Sequence, residues 1–278
     1  MKQTVLITGA SSGFGLAFGR KFAAEGWNVL ATMRAPADGA ALAALPGVLV
    51  TALDVQDPAS IAAAIAAGVA RFGAIDAVIN NAGFGLFGIF EETPLDQLRL
   101  QFEVNLFGAM AVTRAVLPQL RSRRRGVIAN ISSGAGVFTL PLSSLYCASK
   151  FALEGFSEAL AYELTPLGIV VKIIEPGGVL ATGFGARSGA EATRTQPIAD
   201  YDPMRAHTAQ LFAGLRASRA LATAEHVADV TFAAITDGTR TLRYVATDDI
   251  RPLVHARRET SEAAYIDFVR SRFEPAQR

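Results

Sequence analysis

The sequence predicts an α/β fold in which a doubly wound parallel sheet of about seven strands carries helices on both faces. Short runs rich in β-branched residues alternate with longer stretches of helical periodicity along the 278 residues. The first of these runs leads directly into a glycine-rich turn, and the most reactive polar residues follow strands. Hydrophobic residues make up 51% of the chain and charged residues 18%, which is enough apolar material for one large core.

The seven expected strands are short and apolar, and they occupy residues 5–8, 28–32, 48–54, 77–80, 127–132, 170–175 and 241–246. Between them, apolar residues recur with helical spacing, which predicts helices to about residue 26 and over 58–72, 95–121, 143–165 and 225–236. A short Ala/Leu helix precedes the third strand. Right-handed crossovers leave few topologies for such an order, and the doubly wound, Rossmann-type sheet places its ligands beyond the carboxyl ends of the strands.

The composition predicts the number of domains and argues against some classes of function. No linker is evident, so we expect a single domain over 1–278, with an insert over the site at about 184–217 and a C-terminal surface extension at about 251–278. A net charge of +1 gives no reason to expect nucleic acid or an anionic membrane as a partner. The start of the chain predicts no signal peptide, and no stretch reads as an integral membrane segment.

Cysteine and histidine are scarce. Cys147 is the one cysteine, so no intrachain disulfide can form, and a reducing, cytoplasmic location is expected. With only His207, His226 and His255 besides it, we expect no metal site.

The turn TGASSGFG at 8–15 follows the first strand and precedes a helix. Glycine permits tight turning and close approach of backbone, and a helix N-terminus offers free N–H groups to phosphate. The context favours a dinucleotide site over an ordinary strand–helix turn, although the spacing is GxxxGxG rather than GxGxxG. The candidate cofactor residues of the turn are Gly9, Ser11, Ser12, Gly13, Phe14 and Gly15.

Two further positions concern the adenosine side of that cofactor. Asp54, followed by Val55, ends the third strand and either accepts from an adenine amino group or caps the next helix. Arg34 follows the second strand, where enzymes that prefer NAD often carry an acidic residue. A guanidinium can pair with a 2′-phosphate, so we expect NADP(H) to be preferred, with NAD(H) possible. The alternative is a solvated arginine.

The segment YCASK places Tyr146 and Lys150 four residues apart at a helix start, so both face the same way. A cationic lysine favours the phenolate form of a tyrosine, which suits an acid/base pair, although a lone Tyr-x-x-x-Lys occurs often by chance. Ser132 and Ser133 end the fifth strand, where a hydroxyl can hold a carbonyl oxygen. Asn105 lies within a predicted helix and is either an exposed polar residue or one that binds water or bridges backbone.

Over roughly residues 4–250 the sequence resembles the short-chain dehydrogenases/reductases. The resemblance rests on seven motifs in order, TGASSGFG, DV, NNAG, VNLFG, NISSGAG, YCASK and EPGG. It implies that Tyr146 is the general acid/base and that Lys150 lowers the pKa of Tyr146 and bonds the nicotinamide ribose. It also implies that Ser133, thirteen residues before the tyrosine, orients the substrate oxygen, and that Asn105 holds a water in a proton relay.

The resemblance adds cofactor residues after the fourth and sixth strands, namely Asn81, Ala82, Gly83, Pro176, Gly177, Val179 and Thr182. The chain departs from the pattern at one of them. The threonine that contacts the nicotinamide amide is expected at position 181, which is Ala181 here, and Thr182 comes one residue later.

The segments YCASKFALEG and GFGLFGIFEET are similar to the hydroxysteroid and retinol dehydrogenase branch, which implies a lipophilic ketone, aldehyde or alcohol as substrate. Residues after strands are the candidates to face it, although apolar loops also pack against helices. They are Phe84, Leu86, Ser133, Gly134, Ala135, Phe138, Leu140, Leu142 and Gly178. The family also implies a homodimer or homotetramer, formed in part through the helices at 95–121 and 143–165.

Together these residues predict NADP-dependent hydride transfer between nicotinamide and the carbonyl or secondary alcohol of a small, largely apolar molecule. A non-catalytic NADP sensor or scaffold on the same fold is the main alternative, although it would not need the set of Ser133, Tyr146, Lys150 and Asn105. An NADP-dependent epimerase or dehydratase is less favoured, because those relatives usually carry GxxGxxG and a larger C-terminal domain.

Overall fold

A computed structural model describes residues 2–179, 197–217 and 222–275. Seven parallel strands form one sheet in the order β3-β2-β1-β4-β5-β6-β7. The strands are β1 Thr4–Ile7, β2 Asn28–Met33, β3 Val48–Ala52, β4 Ala77–Asn80, β5 Gly126–Ile131, β6 Ile169–Glu175 and β7 Arg243–Val245. The predicted doubly wound sheet is thus confirmed, and strand boundaries differ from expectation by no more than two residues. The strand order reverses between β1 and β4, where such folds bind ligands.

Helices cover both faces of the sheet. They are α1 Gly13–Ala24, α2 Ala40–Ala43, α3 Pro58–Phe72, α4 Leu95–Phe102, α5 Gly108–Arg123, α6 Ser144–Leu164, α7 Asp202–Ala217, α8 Ala224–Thr236, α9 Arg251–Glu259 and α10 Glu262–Phe273. Successive strand residues point to opposite faces. Val5 and Ile7 therefore pack with Phe18 of α1 and Val227 of α8, whereas Leu6 packs on the other face with residues of α3, α5 and α6. Both faces are buried, as a parallel sheet requires.

The single helix predicted over 95–121 is instead two helices. A π-helical turn, Glu103–Phe107, separates α4 from α5 and contains Asn105. A π-turn inserts one extra residue into the helical repeat and is frequent at functional sites. It turns Asn105 toward the loop after β4, where its side chain bonds the backbone of Phe84.

The C-terminal segment is not the surface extension that its charged sequence predicts. Leu253 and Val254 of α9 and Tyr265 of α10 are buried against Phe138 and Ile250. These helices therefore complete the core beside the end of β6. Of the expected insert at 184–217, residues 184–196 lie outside the described part of the chain, and the rest form a short 3₁₀ turn, Ala199–Tyr201, and α7.

No helix among the described residues has the length and apolar character needed to cross a bilayer. Within the same ranges, no cluster of three His, Cys, Asp or Glu side chains could hold a metal ion.

One lysine is buried in the apolar run of β6. The side chain of Lys172 is 1% exposed, and its Nζ donates to Asp237 Oδ1 at 3.0 Å, to the Thr239 carbonyl at 3.0 Å and to Tyr244 Oη at 2.8 Å. A buried charge is tolerated only when it is paired and hydrogen-bonded. Lys172 thus fastens the end of α8 and strand β7 to the sheet.

We expect Lys172→Met to lower the free energy of unfolding by about 2 kcal/mol, because it leaves the partly buried Asp237 carboxylate without its cation. Urea unfolding at pH 7 measures this. Lys21→Met is the matched control, since Lys21 pairs with Glu25 and Asp229 at the surface, and it should change stability by less than about 1 kcal/mol. Equal effects of the two substitutions would contradict a fastening role for Lys172.

Candidate active site

The glycine turn between β1 and α1 leaves its backbone open. Gly9 and Gly13 have φ of +68° and +52°, a region that favours glycine. A Cβ on Gly15 would lie 2.2 Å from the Gly9 carbonyl oxygen and 2.8 Å from Ala10 Cα. Helix α1 begins at Gly13, after Ser12, so its free N–H groups face the turn, as a phosphate site requires.

Ser11, Ser12 and Phe14 contribute less directly to this candidate phosphate site. Ser11 is half-buried, and Ser12 precedes the helix with an extended backbone. The Phe14 ring packs near Phe18, with ring centroids 6.2 Å apart. Phe14 therefore contributes its backbone to the turn while its side chain contacts the core.

Strand β4 supports the turn through Asn81. Its Nδ2 donates to the carbonyls of Thr8 at 2.8 Å and Gly9 at 3.1 Å. In return, the Thr8 hydroxyl accepts from the backbone N–H groups of Asn81 and Ala82, both at 3.0 Å. Thr8 is not predicted from the sequence, because its partner lies 73 residues away and no local pattern marks the pair.

The Asn105 side chain hydrogen-bonds to the loop after β4 and to helix α6. Its Oδ1 accepts from Phe84 N at 3.0 Å, and its Nδ2 donates to the Phe84 carbonyl at 2.8 Å and to Ser149 Oγ at 3.2 Å. The side chain is buried, so the exposed-polar interpretation is wrong. A Cβ on Gly83 would lie 3.1 Å from Asn105 Oδ1. Asn105 thus joins the loop after β4 to the helix that carries Tyr146 and Lys150.

Ser133, Tyr146 and Lys150 come together at the start of α6. The Ser133 hydroxyl accepts from Ala135 N at 3.1 Å and is hydrogen-bonded to the Tyr146 side chain. Lys150 Nζ donates to the Ile131 carbonyl at 2.8 Å and lies 5.9 Å from the centroid of the Tyr146 ring. This amine is therefore seated on the end of β5, one helical turn beyond the tyrosine.

Burial is the main cause of the pKa shifts of Tyr146 and Lys150. It raises the pKa of Tyr146 to about 12, and the hydrogen bond with Ser133 only partly opposes this. Burial also lowers the pKa of Lys150 to about 8, against the charge of Glu154. The net shift of the Tyr146 pKa is therefore upward, in the direction opposite to the lowering that the resemblance implies, because desolvation of the phenolate is its largest cause.

On the adenosine side, Arg34 directly follows β2 and is exposed. The Asp54 carboxylate accepts from Gln56 N at 3.0 Å, while Asp57 caps α3 by accepting from Ala59 N. The helix-cap interpretation of Asp54 is therefore wrong. Val55 is buried and fits against Gly108, whose added Cβ would lie 2.7 Å from Val55 Cγ2.

The loop after β6 is held by Gly134, Thr247 and Asp249, of which only Gly134 is a candidate on the sequence motifs. The Pro176 carbonyl accepts from Gly134 N at 2.9 Å. Gly177 N donates to Thr247 Oγ1 at 2.8 Å, and Gly178 N donates to Asp249 Oδ2 at 2.9 Å.

The rest of this loop is described only in part. Val179 pairs with Ala222 in an isolated bridge. Thr182 and Ala181 lie outside the described residues.

An apolar cleft of about 950 Å³ opens beside the start of α6. Its walls include Leu140, Leu142, Cys147, Phe151 and Met204, and Cys147 packs in one cluster with Tyr146. Leu142 has an unusual φ of +54°, and its carbonyl accepts from Gly88 N across the cleft. Such strain in a bulky residue is frequent at ligand sites.

Several expected substrate residues are placed elsewhere. The side chains of Phe84 and Leu86 are buried in the core on the face of the sheet that α3, α5 and α6 cover. Phe138 packs against the C-terminal helices. Each of these side chains is buried there against other apolar residues. Gly134 also faces that side, since its added Cβ would meet the Phe138 ring at 2.7 Å.

Other residues do lie beside the tyrosine. Ala135 is close to Tyr146, and so is Phe87, whose ring meets the tyrosine edge-on with centroids 5.4 Å apart. The sequence analysis missed Phe87, whose only signal was its place in the loop after β4.

A family model described as short chain dehydrogenase matches residues 3–192, which contain the glycine turn, Asn105, Ser133, Tyr146 and Lys150. This chain belongs to the short-chain dehydrogenase family. The resemblance inferred from the sequence motifs is thereby confirmed, and so is the expectation of an NAD(P)-dependent oxidoreductase.

Curated relatives of this short-chain dehydrogenase include an uncharacterised oxidoreductase of Schizosaccharomyces pombe, 37% identical over 84% of this chain and 96% of the relative. A 3-ketodihydrosphingosine reductase of Bacteroides thetaiotaomicron is 40% identical over 66% of this chain and 65% of its own. Retinol dehydrogenase 8 of Bos taurus is 36% identical over 73% of this chain and 67% of its own. The expected likeness to the retinol dehydrogenase branch is therefore confirmed.

Solved structures show the same fold. A family member from Burkholderia phymatum in complex with NAD superposes with a TM-score of 0.81, at 28% identity, over 100% of this chain and 98% of that one. An actinorhodin polyketide ketoreductase with NADPH gives a TM-score of 0.74, at 27% identity, over 88% of this chain and 96% of that one. Neighbours of this short-chain dehydrogenase thus bind either nicotinamide cofactor.

We expect Gly15→Ala to weaken NAD(P)H binding by at least about tenfold, because the new methyl group would push the Gly9 carbonyl into the phosphate cradle. Fluorescence titration of bound NAD(P)H measures the effect. Gly155→Ala is the matched control: it lies in α6 with nothing within 4 Å of the added Cβ, and it should stabilise the fold by about 0.5 kcal/mol without changing affinity. Unchanged cofactor affinity in Gly15→Ala would show that the turn is not the cradle.

Proposed function

We propose that this short-chain dehydrogenase transfers a hydride between NADP(H) and the carbonyl or secondary alcohol carbon of a largely apolar substrate. The observation that carries the proposal is the hydrogen-bonded pair of Ser133 and Tyr146, with Lys150 one turn beyond. An apolar cleft is lined by Cys147, the residue after the tyrosine. Both hydroxyl groups can meet one substrate oxygen there, which is the arrangement that carbonyl chemistry needs.

In the reducing direction, the Ser133 hydroxyl orients the carbonyl oxygen and the Tyr146 hydroxyl donates its proton to that oxygen. The nicotinamide supplies the hydride to the carbonyl carbon when it is bound. Lys150 holds a positive charge next to the phenolate that forms, and its remaining N–H groups are suited to the cofactor ribose. Asn105 keeps the loop after β4 against α6, and we propose that it also holds a water through which solvent returns a proton to the site.

The buried tyrosine favours reduction at neutral pH. With a pKa of about 12, Tyr146 is protonated in all but about one molecule in 10⁵ at pH 7. A proton donor is thus available for reduction, whereas alcohol oxidation needs the scarce phenolate. The positive ring of an oxidised nicotinamide would lower that pKa by charge and so make the reverse reaction feasible.

The choice of NADP(H) rests on Arg34. It is exposed at the end of β2, where a guanidinium can pair with a 2′-phosphate. The adenosine side otherwise offers Asp54, after β3, as an acceptor for the adenine amino group. A structural neighbour in the family binds NAD, so the fold itself accepts either cofactor. We therefore assign the preference for NADP(H) to Arg34.

The substrate class follows from the cleft. Its wall residues are mostly apolar, and side chains such as Leu140, Leu142, Phe151 and Met204 can cover a hydrocarbon body while the reacting oxygen reaches Tyr146. The printed names of two relatives, a retinol dehydrogenase and a 3-ketodihydrosphingosine reductase, point to substrates of that kind.

We further propose that the protein is a cytoplasmic homodimer or homotetramer. Phe107, at the junction of α4 and α5, is 51% exposed, and Tyr162, on α6, is 74% exposed. Aromatic side chains left in solvent on these two helices are suited to contact with a second copy.

We expect Tyr146→Phe to reduce kcat/KM for carbonyl reduction by about 10³-fold, since the proton donor is lost while the ring still fills its place. Initial rates of NADPH oxidation with apolar ketones and aldehydes measure this. Tyr162→Phe, in the exposed part of the same helix, is the control and should keep wild-type rates. Near-native turnover by Tyr146→Phe would refute the proposed function, and tight NADPH binding without any turnover by the wild type would favour a sensor.

We expect the wild-type enzyme to have a higher kcat/KM with NADPH than with NADH. Arg34→Asp should lower the NADPH value by about 100-fold, because a carboxylate repels the 2′-phosphate that the guanidinium attracted. The NADH value should change by less than about threefold. Arg71→Asp makes the same charge change at the end of α3 and should affect neither cofactor. Equal use of NADH and NADPH by the wild type would contradict the role of Arg34.

A further inference from the structure

A buried carboxyl lies one helical turn beyond Lys150. Glu154 is 6% exposed and shares the inner face of α6 with the lysine, because residues four apart on a helix point the same way. Its neighbours include the Ser132 hydroxyl and Gly136, whose added Cβ would lie 3.0 Å from Glu154 Cγ and 3.1 Å from the Lys150 carbonyl. The segment after β5 therefore packs directly onto this part of α6.

Arg243 of β7 supplies the countercharge. Its Nε donates to Glu154 Oε2 at 3.0 Å, and its Nη2 donates to Glu158 one turn farther along α6. Burial and the charge of Glu175 raise the pKa of Glu154, while Ser132 and Arg243 lower it. Arg243 thus favours the anionic form of a carboxyl that would otherwise tend to take up a proton.

Glu175, at the end of β6, competes for the same guanidinium. Its Oε1 lies 3.7 Å from Arg243 Nε, but its carboxylate is engaged by Arg258 of α9, with Nη1 at 3.0 Å and Nη2 at 2.5 Å from its two oxygens. A two-bond arginine–carboxylate pair is strong and directional. Arg258 therefore takes up the charge of Glu175 and leaves Arg243 to Glu154.

We propose that Glu154 is a positioning residue for the reaction, which keeps the Lys150 amine charged and seated on the Ile131 carbonyl. The amine is desolvated, and Glu154 is the group whose charge opposes that penalty. Arg243 acts through Glu154, and Arg258 acts through Glu175. Glu154 is not among the site residues that the sequence motifs mark, and this inference rests on the hydride-transfer function proposed above.

The direction of the effect on pH dependence follows from these charges. Reduction needs Lys150 as a cation, and the charged fraction falls as pH rises through the lysine pKa, which is about 8 in the cofactor-free protein. Loss of the Glu154 charge removes a favourable interaction with the cation, so the lysine loses its proton at lower pH. The other charged groups of the network around Glu154 are Glu158 on α6, Glu175 on β6, Arg243 on β7 and Arg258 on α9, and the neutral Tyr146 ring lies 5.9 Å from Lys150 Nζ.

The test compares Glu154→Gln with the matched control Glu158→Gln. Both keep an acceptor for Arg243, but the Glu158 side chain is 44% exposed and lies two turns from Lys150. The pH profile of kcat/KM for reduction of an apolar ketone and the dissociation constant of NADPH are measured from pH 6 to 9, with the melting temperature as a check on folding. We expect Glu154→Gln to keep kcat/KM within about twofold of the wild type at pH 6 and to lose about fivefold at pH 8 and about tenfold at pH 9, which corresponds to a shift of the alkaline limb by one pH unit.

NADPH binding by Glu154→Gln should weaken over the same pH range, whereas Glu158→Gln should follow the wild type. Arg243→Met should shift the alkaline limb of the kcat/KM profile to lower pH, as Glu154→Gln does. The double variant that carries both substitutions should shift it no farther than Glu154→Gln alone. This non-additivity is expected if Arg243 acts through the carboxyl.

A Glu154→Gln enzyme with reduced melting temperature but an unshifted alkaline limb would overturn the inference and leave only a structural role. An equal shift in Glu158→Gln would overturn it as well. Failure of the underlying function is a different result: the wild type itself would then lack Tyr146-dependent turnover, and the pH dependence of NADPH binding would still report on the charge of Lys150.

Discussion

The placement of α6 against the sheet is the constraint on which the chemistry depends, because one helix carries both Tyr146 and Lys150. A buried chain of amides fixes it. Asn80 Nδ2 donates to Asn130 Oδ1 at 2.8 Å, and Asn130 Nδ2 donates to Ser157 Oγ at 2.8 Å, so β4, β5 and α6 are joined beneath the site. Buried polar groups are costly unless bonded. A shifted helix would break these bonds, and they therefore select one position for α6.

That position has an electrostatic consequence. Tyr146 and Lys150, to which we assign the proton transfer and the supporting charge, are both withdrawn from water, which raises the tyrosine pKa and lowers the lysine pKa. A free-standing pair would thus be poorly suited to acid/base work. Nearby charges oppose both pKa shifts. The positive ring of an oxidised nicotinamide would lower the tyrosine pKa, and, as we infer, the Glu154 carboxylate raises the lysine pKa. The low dielectric that creates the difficulty also makes each such charge more effective.

Local patterns in the sequence predicted the sheet, its helices and the motif residues, because strand and helix periodicity, glycine turns and residues at strand ends are readable within a short window. They did not predict contacts between distant positions. Thr8 and Asn81 are 73 residues apart, and Glu154 and Arg243 are 89 apart. The apolar repeat over 95–121 predicts an ordinary helix and not the π-turn at Asn105, since one extra residue in a turn leaves almost no trace in that repeat. The C-terminal helices were misjudged because their charges hide a narrow apolar stripe.

The two sides of the site are held by different kinds of contact. Behind Lys150, buried amides and ion pairs link α6 to the core strands, which makes that side rigid. Around the cleft, the wall is fastened by polar bonds between segments: Glu92 Oε1 accepts from Ile198 N at 2.7 Å and from Arg205 Nη1 at 2.5 Å, and Glu91 accepts from Tyr201 Oη at 2.7 Å. Few apolar contacts of the core depend on these segments. If the cleft binds the substrate as we propose, substitutions there change the fit of the substrate while the position of Tyr146 stays the same, which separates specificity from the proposed proton transfer.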